Sequence, residues 1–177
     1  KINGLVPCGT TGESPTLTDS ETRTLIQRTV AKAKQKALVI AGTGSNSTQK
    51  TIEETRQATD LGADAALIVT PYYNKPSQAG LQAHYLKTAD ETNIPIILYN
   101  VPGRTGVSLS VQTIAQLATH PRIVGIKEAS GNLGFLSEIK QAVSNLTKPF
   151  SLLSGDDPSF WPFLQEGGNG TISVASN

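Results

Sequence analysis

The sequence predicts an α/β fold, a truncated (β/α)8 barrel, and two observations lead to it. Short apolar runs rich in β-branched residues recur along the chain, most of them about 30 residues apart. These runs do not alternate between apolar and polar residues, which is typical of parallel strands covered on both faces. The segments between them carry apolar residues at helical spacing. We therefore predict about seven strands alternating with six helices, treated as a single partial barrel domain over residues 1–177.

The strands are the apolar runs themselves, and most are followed by a segment that can form a helix. The predicted strands cover residues 4–8, 38–41, 65–69, 94–99, 123–126, 150–153 and 170–174. Each is short enough to be a buried strand and too short to be a membrane span, which needs roughly 20 apolar residues.

Capping residues mark where the helices begin. Thr18 and Glu21 have the spacing of a capping box, in which each side chain satisfies a free backbone N–H of the other. Asp157 can cap the last helix, with Pro158 in its first turn. The predicted helices begin at Thr18, Ser47, Ser77, Val111, Leu133 and Asp157.

Two architectures fit this order of elements, an open doubly wound sheet and the barrel. The glycine-rich segment 42–47 lacks the third glycine of a dinucleotide-binding fingerprint, and no Gly-Lys-Ser/Thr phosphate loop is present. The barrel is therefore favoured. We expect it to lack about one βα unit, the first, together with the helices that would follow residue 174.

Composition argues against several classes of function. The net charge is +1 and the basic residues are scattered, so a nucleic-acid partner is not expected. Cys8 is the only cysteine, and His84 and His120 are far apart, so neither a disulfide nor a metal site is predicted. The sequence has no membrane-span or signal-peptide pattern, and we expect a reducing, cytoplasmic setting.

Polar residues follow almost every predicted strand, and Lys127 stands out among them. In a βα barrel these strand ends meet on one face, where active sites lie. Burial lowers the pKa of a lysine, and a neutral amine can attack a carbonyl to form a Schiff base. The alternative is a lysine that only reaches out to solvent, or that pairs with Glu13 or Glu128. Position alone leaves both interpretations open.

Other residues at the strand ends allow similar pairs of interpretations. Tyr99 could relay protons if its phenol bonds a hydroxyl such as that of Thr10, or it could simply pack. Arg104 could clamp a carboxylate with two hydrogen bonds, or be a solvated loop residue. Asp156 and Asp157 are better explained as helix caps than as a catalytic pair. We assign no chemistry to the histidines.

Six motifs together make the chain resemble a known family. They are GTTGE at 9–13, TPYYNKPSQ at 70–78, LYNVPGRTG at 98–106, GIKEASGN at 125–132, LLSGDD at 152–157 and GTISV at 170–174. In this order they resemble the dihydrodipicolinate (4-hydroxy-tetrahydrodipicolinate) synthases. That family is part of the pyruvate-dependent class I aldolase superfamily, which also contains N-acetylneuraminate lyase. The second threonine of GTTGE and Arg104 favour the synthases over the lyase branch.

The resemblance implies a reaction in the diaminopimelate route to lysine. Pyruvate forms a Schiff base with Lys127, and the derived enamine attacks the aldehyde of L-aspartate 4-semialdehyde. The covalent lysine adduct replaces any cofactor. The remaining roles are implied in the same way. Thr10, Tyr73 and Tyr99 form a proton relay, in which Tyr73 reaches a neighbouring subunit's site. Thr11 and Ile172 contact pyruvate, and Arg104 binds the semialdehyde carboxylate. The implied assembly is a dimer of dimers.

The resemblance also suggests an effector site and leaves a question about activity. Lysine-inhibited members bind lysine through positions that match Ser14, Asn46 and Tyr72, plus an acidic residue that is Lys50 here. Because Lys50 would repel the ammonium of lysine, we expect weak or absent feedback inhibition. The chain could be a catalytic segment of such an enzyme or a non-catalytic barrel fragment, and the sequence leaves both open.

Overall fold

The computed structural model, which describes residues 2–33 and 36–177, contains one seven-stranded parallel sheet. The strands pair in chain order, so each crossover leads to the adjacent strand, as in a βα barrel. The strands are β1 (Gly4–Leu5), β2 (Leu38–Gly42), β3 (Ala65–Val69), β4 (Ile96–Asn100), β5 (Ile123–Glu128), β6 (Ser151–Ser154) and β7 (Gly170–Thr171). The predicted fold class, a curled part of a βα barrel, is confirmed.

The helices cover the outer face of the sheet. They are α1 (Asp19–Ala33), α2 (Thr48–Asp60), α3 (Gln78–Glu91), α4 (Pro102–Thr105), α5 (Val111–Ala118), α6 (Leu133–Ala142) and α7 (Phe160–Gln165). Two single turns of 3-10 helix, Thr10–Gly12 and Ser14–Thr16, follow β1. None of the helices in the described ranges is long and apolar enough to cross a bilayer.

The predicted caps explain why three of these helices begin where they do. The Thr18 N–H donates to Glu21 Oε2 at 2.8 Å and the Glu21 N–H donates to Thr18 Oγ1 at 3.3 Å, so the capping box is present. Ser47 accepts from the Lys50 N–H and Ser77 from the Gly80 N–H. These caps satisfy backbone donors that would otherwise lack an intrahelical partner.

Two expectations about the helices were wrong. Arg104 was expected in a loop but lies on α4, a single turn that sequence spacing is too short to reveal. The last helix begins at Phe160 rather than at Asp157. The reason is that Asp157 accepts hydrogen bonds from the N–H groups of Val174 and Ala175, while Asp156 accepts from the Ser159 N–H.

Side-chain alternation along the strands separates two apolar layers. Ala66, Ile68 and Leu98 belong to the large core between the sheet and the helices, whereas Leu67 and Tyr99 belong to a smaller inner cluster. Successive residues of a strand point to opposite faces, so each strand contributes to both layers. The inner layer is the one that leads to the site.

Candidate active site

Lys127 lies near the carboxyl end of β5, and only 7% of it is exposed. The preceding residue, Ile126, is part of the outer core, so Lys127 faces the inner layer. In register, Lys127 pairs with Tyr99 of β4, and its Nζ lies 4.2 Å from the centre of the Tyr99 ring. The two residues that sequence reasoning placed at neighbouring strand ends are therefore in contact.

An irregularity in β5 makes this pairing possible. Ile96 pairs with Ile123, but the next residue, Ile97, pairs with Gly125, so Val124 has no partner on β4. Without the extra residue, Ile126 would point inward opposite Tyr99, and Lys127 would point outward. Bulges of this kind re-aim side chains next to active sites, and here the bulge puts Tyr99 and Lys127 on the same face.

The surroundings of Lys127 favour the neutral amine. Its pKa is lowered to about 8, mainly by burial and to a smaller extent by the positive charge of Arg104, while the negative charge of Asp157 opposes both effects. No ion pair among the described residues includes Lys127. Glu128, one of the suggested partners, accepts its hydrogen bonds from Asn100 and the Ser130 N–H instead. A lysine with a lowered pKa and an unpaired amine suits nucleophilic attack on a carbonyl.

Gly155, directly after β6, leaves the space that the Lys127 side chain occupies. A Cβ at Gly155 would lie 2.7 Å from Lys127 Cε and 2.8 Å from Ala129 Cβ. Sequence reasoning placed Gly155 in the strand-end cluster but gave it no role. Only the structure shows that a side chain here would collide with the lysine stem.

A cavity of about 240 Å³ opens beside this pair at the same end of the sheet. Thr10, Tyr99 and Arg104 line it, so three of the predicted site residues share one space. Lys127 reaches the cavity through its contact with Tyr99 and is not itself on the wall. The arrangement joins a nucleophilic amine, a phenol and a guanidinium around a space that fits a small carboxylate-bearing molecule.

The remaining predicted residues lie around this centre at different distances. Thr11 is exposed in the 3-10 turn beside Thr10, and Ile172 packs against the inner cluster. The hydrogen bonds formed by the described residues include none between Thr10 and the Tyr99 phenol, so the relay stays a prediction. Tyr73 is 89% exposed with a φ of 70°, in the left-handed region that non-glycine residues rarely adopt. It does not line the cavity of its own chain.

Comparison with models of known protein families shows to which family the chain belongs. The model of the dihydrodipicolinate synthetase family matches residues 1–177. The chain belongs to this family. It is 54% identical over 175 residues to the 4-hydroxy-tetrahydrodipicolinate synthase of Thermodesulfovibrio yellowstonii and 51% identical over 177 residues to that of Magnetococcus marinus. Each match covers 99% of this chain but only 59% of the relative, so the chain spans about three fifths of the length of these relatives.

Solved structures of the family share the same backbone. The dihydrodipicolinate synthase of Aquifex aeolicus superposes with a TM-score of 0.93 at 47% identity, covering 98% of this chain and 59% of that one. The 4-hydroxy-tetrahydrodipicolinate synthase of Methylacidiphilum fumariolicum superposes with a TM-score of 0.95 at 46% identity, covering 99% of this chain and 58% of that one. The resemblance inferred from the six motifs is confirmed.

The positions tied to the dihydrodipicolinate synthases' effector site lie partly on the same cavity. Ser14, Lys50 and Tyr72 line it, whereas Asn46 is not on its wall and uses its carbonyl to accept from Asn74 Nδ2. Lys50 Nζ lies 3.4 Å from a carboxylate oxygen of Glu54. A lysine and a glutamate are therefore paired on the cavity wall.

Three other groups with reactive side chains are accounted for by the fold. Cys8 is a buried thiol at the edge of the cavity, and burial raises its pKa, which opposes reactivity. His84 Nδ1 lies 2.9 Å from Thr48 Oγ1, and His120 Nε2 lies 3.2 Å from Asp90. Within the described ranges, no three His, Cys, Asp or Glu side chains are grouped as metal ligands.

Proposed function

We propose that this chain carries the Schiff-base centre of a 4-hydroxy-tetrahydrodipicolinate synthase, which condenses pyruvate with L-aspartate 4-semialdehyde in lysine biosynthesis. The observation that carries the proposal is Lys127, a buried and unpaired amine with a pKa of about 8 in contact with Tyr99. The names of relatives about 50% identical over the whole chain support the choice of substrates.

The neutral Lys127 amine adds to the ketone carbon of pyruvate, and loss of water gives the imine. Loss of a methyl proton yields the enamine, whose carbon forms a bond to the aldehyde carbon of the semialdehyde. The amino group of the semialdehyde then closes the ring on the imine carbon and releases Lys127. Each of these steps moves a proton, and Tyr99, whose ring centre lies 4.2 Å from the amine, supplies a phenol that can act as acid and base.

The other predicted residues have positioning roles in this proposal. Thr11 and the backbone around it hold the pyruvate carboxylate, with Ile172 beside the methyl group. Arg104 binds the semialdehyde carboxylate from the cavity wall. Thr10 completes the relay with Tyr99, and Tyr73 completes it across a subunit interface. The exposure of Tyr73 supports this last role, because 89% of it is accessible to a second molecule.

The assembly, location and regulation are also part of the proposal. A dimer of dimers would bring each Tyr73 to a neighbouring site. We expect a cytoplasmic enzyme that uses no cofactor. Feedback by lysine is expected to be weak because Lys50 presents a positive charge at the effector region and its partner Glu54 is already engaged.

The test is intact-mass analysis of the chain after incubation with pyruvate and borohydride, which reduces an imine to a stable adduct. Lys127→Ala is expected to abolish the adduct. Lys148→Ala is the matched control, because Lys148 is another lysine of lowered pKa, yet its amine bonds the Ile123 carbonyl at the opposite end of β5. An adduct on the parent and on the Lys148 variant, but not on the Lys127 variant, supports the proposal.

Absence of an adduct on a folded parent chain would overturn the Schiff-base assignment in favour of a non-catalytic barrel fragment. The choice of substrate is tested next, by supplying either pyruvate with the semialdehyde or N-acetylneuraminate alone. Turnover of N-acetylneuraminate, and not of pyruvate with the semialdehyde, would place the chain in the lyase branch of the superfamily.

A further inference from the structure

A buried amide and a buried carboxylate face each other directly behind the Lys127 and Tyr99 pair. Asn100 is 0% exposed and Glu128 is 3% exposed, and they are register partners at the ends of β4 and β5. Asn100 Nδ2 donates to Glu128 Oε2 at 2.7 Å. Because strand side chains alternate, this pair points outward while Tyr99 and Lys127 point inward. The Tyr99–Lys127 and Asn100–Glu128 pairs are consecutive register partners of β4 and β5.

Each member of the outer pair also holds a backbone segment. The Ser130 N–H donates to Glu128 Oε1 at 2.5 Å, which fixes the turn after β5. The Leu109 N–H donates to Asn100 Oδ1 at 3.0 Å, which fixes the segment that returns from α4. The network therefore joins the strand end that bears Lys127 to the segment that follows Arg104.

Glu128 has no partner of opposite charge among residues 2–33 and 36–177. No ion pair among the described residues includes it. Burying an unpaired carboxylate is costly, and an apolar pair of similar volume would serve packing alone at least as well. What the carboxylate offers instead is direction, since charge-assisted hydrogen bonds are short and oriented.

Glu128 is not among the groups that shift the pKa of Lys127. The influences on its pKa are burial, Asp157 and Arg104. Glu128 is therefore suited to fix geometry and not to tune the nucleophile.

We propose that Asn100 and Glu128 are positioning residues, whose directed hydrogen bonds hold Lys127 against Tyr99 and anchor the segment that follows Arg104. The proposal rests on the function proposed above for Lys127. It concerns residues that do not touch the substrate and act through the backbone of β4 and β5.

Three variants test the proposal through the hydrogen bond between Asn100 and Glu128. Each single variant disrupts this bond, and the double variant reverses its direction. Glu128→Gln leaves one oxygen to accept two donors, so its amide opposes either Asn100 or the Ser130 N–H. Asn100→Asp sets two carboxylates against each other. In the double variant the new amide at 128 donates to the new carboxylate at 100, which still accepts from the Leu109 N–H. The bond from Asn100 Nδ2 to Ser108 Oγ is replaced by one in which the Ser108 hydroxyl donates.

The readout is the rate of pyruvate trapping by borohydride as a function of pH. We expect each single variant to react at least about tenfold more slowly, since a shift of 1 Å at a reacting group can cost on the order of 100-fold. The double variant should return to within about threefold of the parent. The pH midpoint should be the same in all four proteins, because the pair does not set the pKa of Lys127.

Every outcome decides the question. Single variants that fold and react at the parent rate overturn the proposal, as does a folded double variant no faster than the slower single variant. A variant in which the pH midpoint of trapping shifts would show that Asn100 and Glu128 act electrostatically on Lys127, which would overturn the positioning role. If only the double variant folds, its rate must match the parent's within threefold, and a slower rate overturns the proposal. A parent that forms no adduct rejects the proposed function itself, which none of the other outcomes does.

Discussion

Replacement of Gly155 by alanine should impair the chemistry of Lys127 more than it impairs the fold. The added Cβ would lie 2.7 Å from Lys127 Cε and 3.1 Å from Lys127 Cγ, whereas carbon atoms pack best at roughly 3.5 to 4.0 Å. Ala129 Cβ, at 2.8 Å on the other side, has no rotamer with which to yield. The lysine stem must therefore move by about 1 Å, which can cost on the order of 100-fold in rate.

The loss of stability should be smaller, about 1 to 3 kcal/mol, as is usual for an overpacked core site. The assay is the rate of pyruvate trapping, beside urea unfolding of the same protein. Gly103→Ala is the control, because a Cβ there meets no atom within 4 Å. We expect the control to trap pyruvate at the parent rate. A Gly155→Ala protein that does the same would refute the claim that Gly155 shapes the lysine site.

Three further predictions concern charge. The rate of pyruvate trapping should rise with pH through a midpoint near 8, the pKa of Lys127, and not near 10.5 as for an exposed lysine. Asp157→Asn should lower this midpoint and Arg104→Gln should raise it. A midpoint that moves in the opposite direction in either variant would contradict the assignment. His84 is buried with a pKa lowered to about 4, so the unfolded chain binds the extra proton first as pH falls below 6.5. Its contribution should remove about 2 kcal/mol of stability between pH 7 and pH 5, and urea unfolding at both values should show a shallower loss in a His84→Gln variant. Lys50→Glu should create or strengthen inhibition by lysine in an active assembly, and unchanged lysine sensitivity would show that this position does not control the effector response.

The larger features of the fold could be predicted from the sequence because they depend on local patterns. The parallel strands appear as uninterrupted apolar runs, and three helices begin at the side chains that cap them, Thr18, Ser47 and Ser77. Lys127 could be singled out because a lysine directly after an apolar run is unusual, and the strand-end rule then placed it near Tyr99.

The finer features of the site depend on contacts between distant segments, which no local pattern records. The segment after β7 holds Asp157 away from its predicted helix, because the N–H groups of Val174 and Ala175 donate to its carboxylate. The need for Gly155 is visible only once the Lys127 stem is in place. The structure also brings Thr10 and Tyr99 to one cavity without joining their hydroxyls, so proximity was predictable and the hydrogen bond between them was not established.

The bulge in β5 shows how one such contact governs the chemistry. From Ile96 to Tyr99, β4 advances three residues, and a regular partner would advance three from Ile123 to Ile126. Ile123 faces the outer core, so in a regular strand Ile126 would point inward opposite Tyr99, and Lys127 would point outward opposite Asn100. The extra residue turns Ile126 outward and Lys127 inward, and it brings two pairs into line at once, one inward and one outward. The inward pair contains the proposed nucleophile, and the outward pair contains the hydrogen bonds that can hold it. A change that removed the bulge would therefore be expected to separate Lys127 from Tyr99 and Glu128 from Asn100 together.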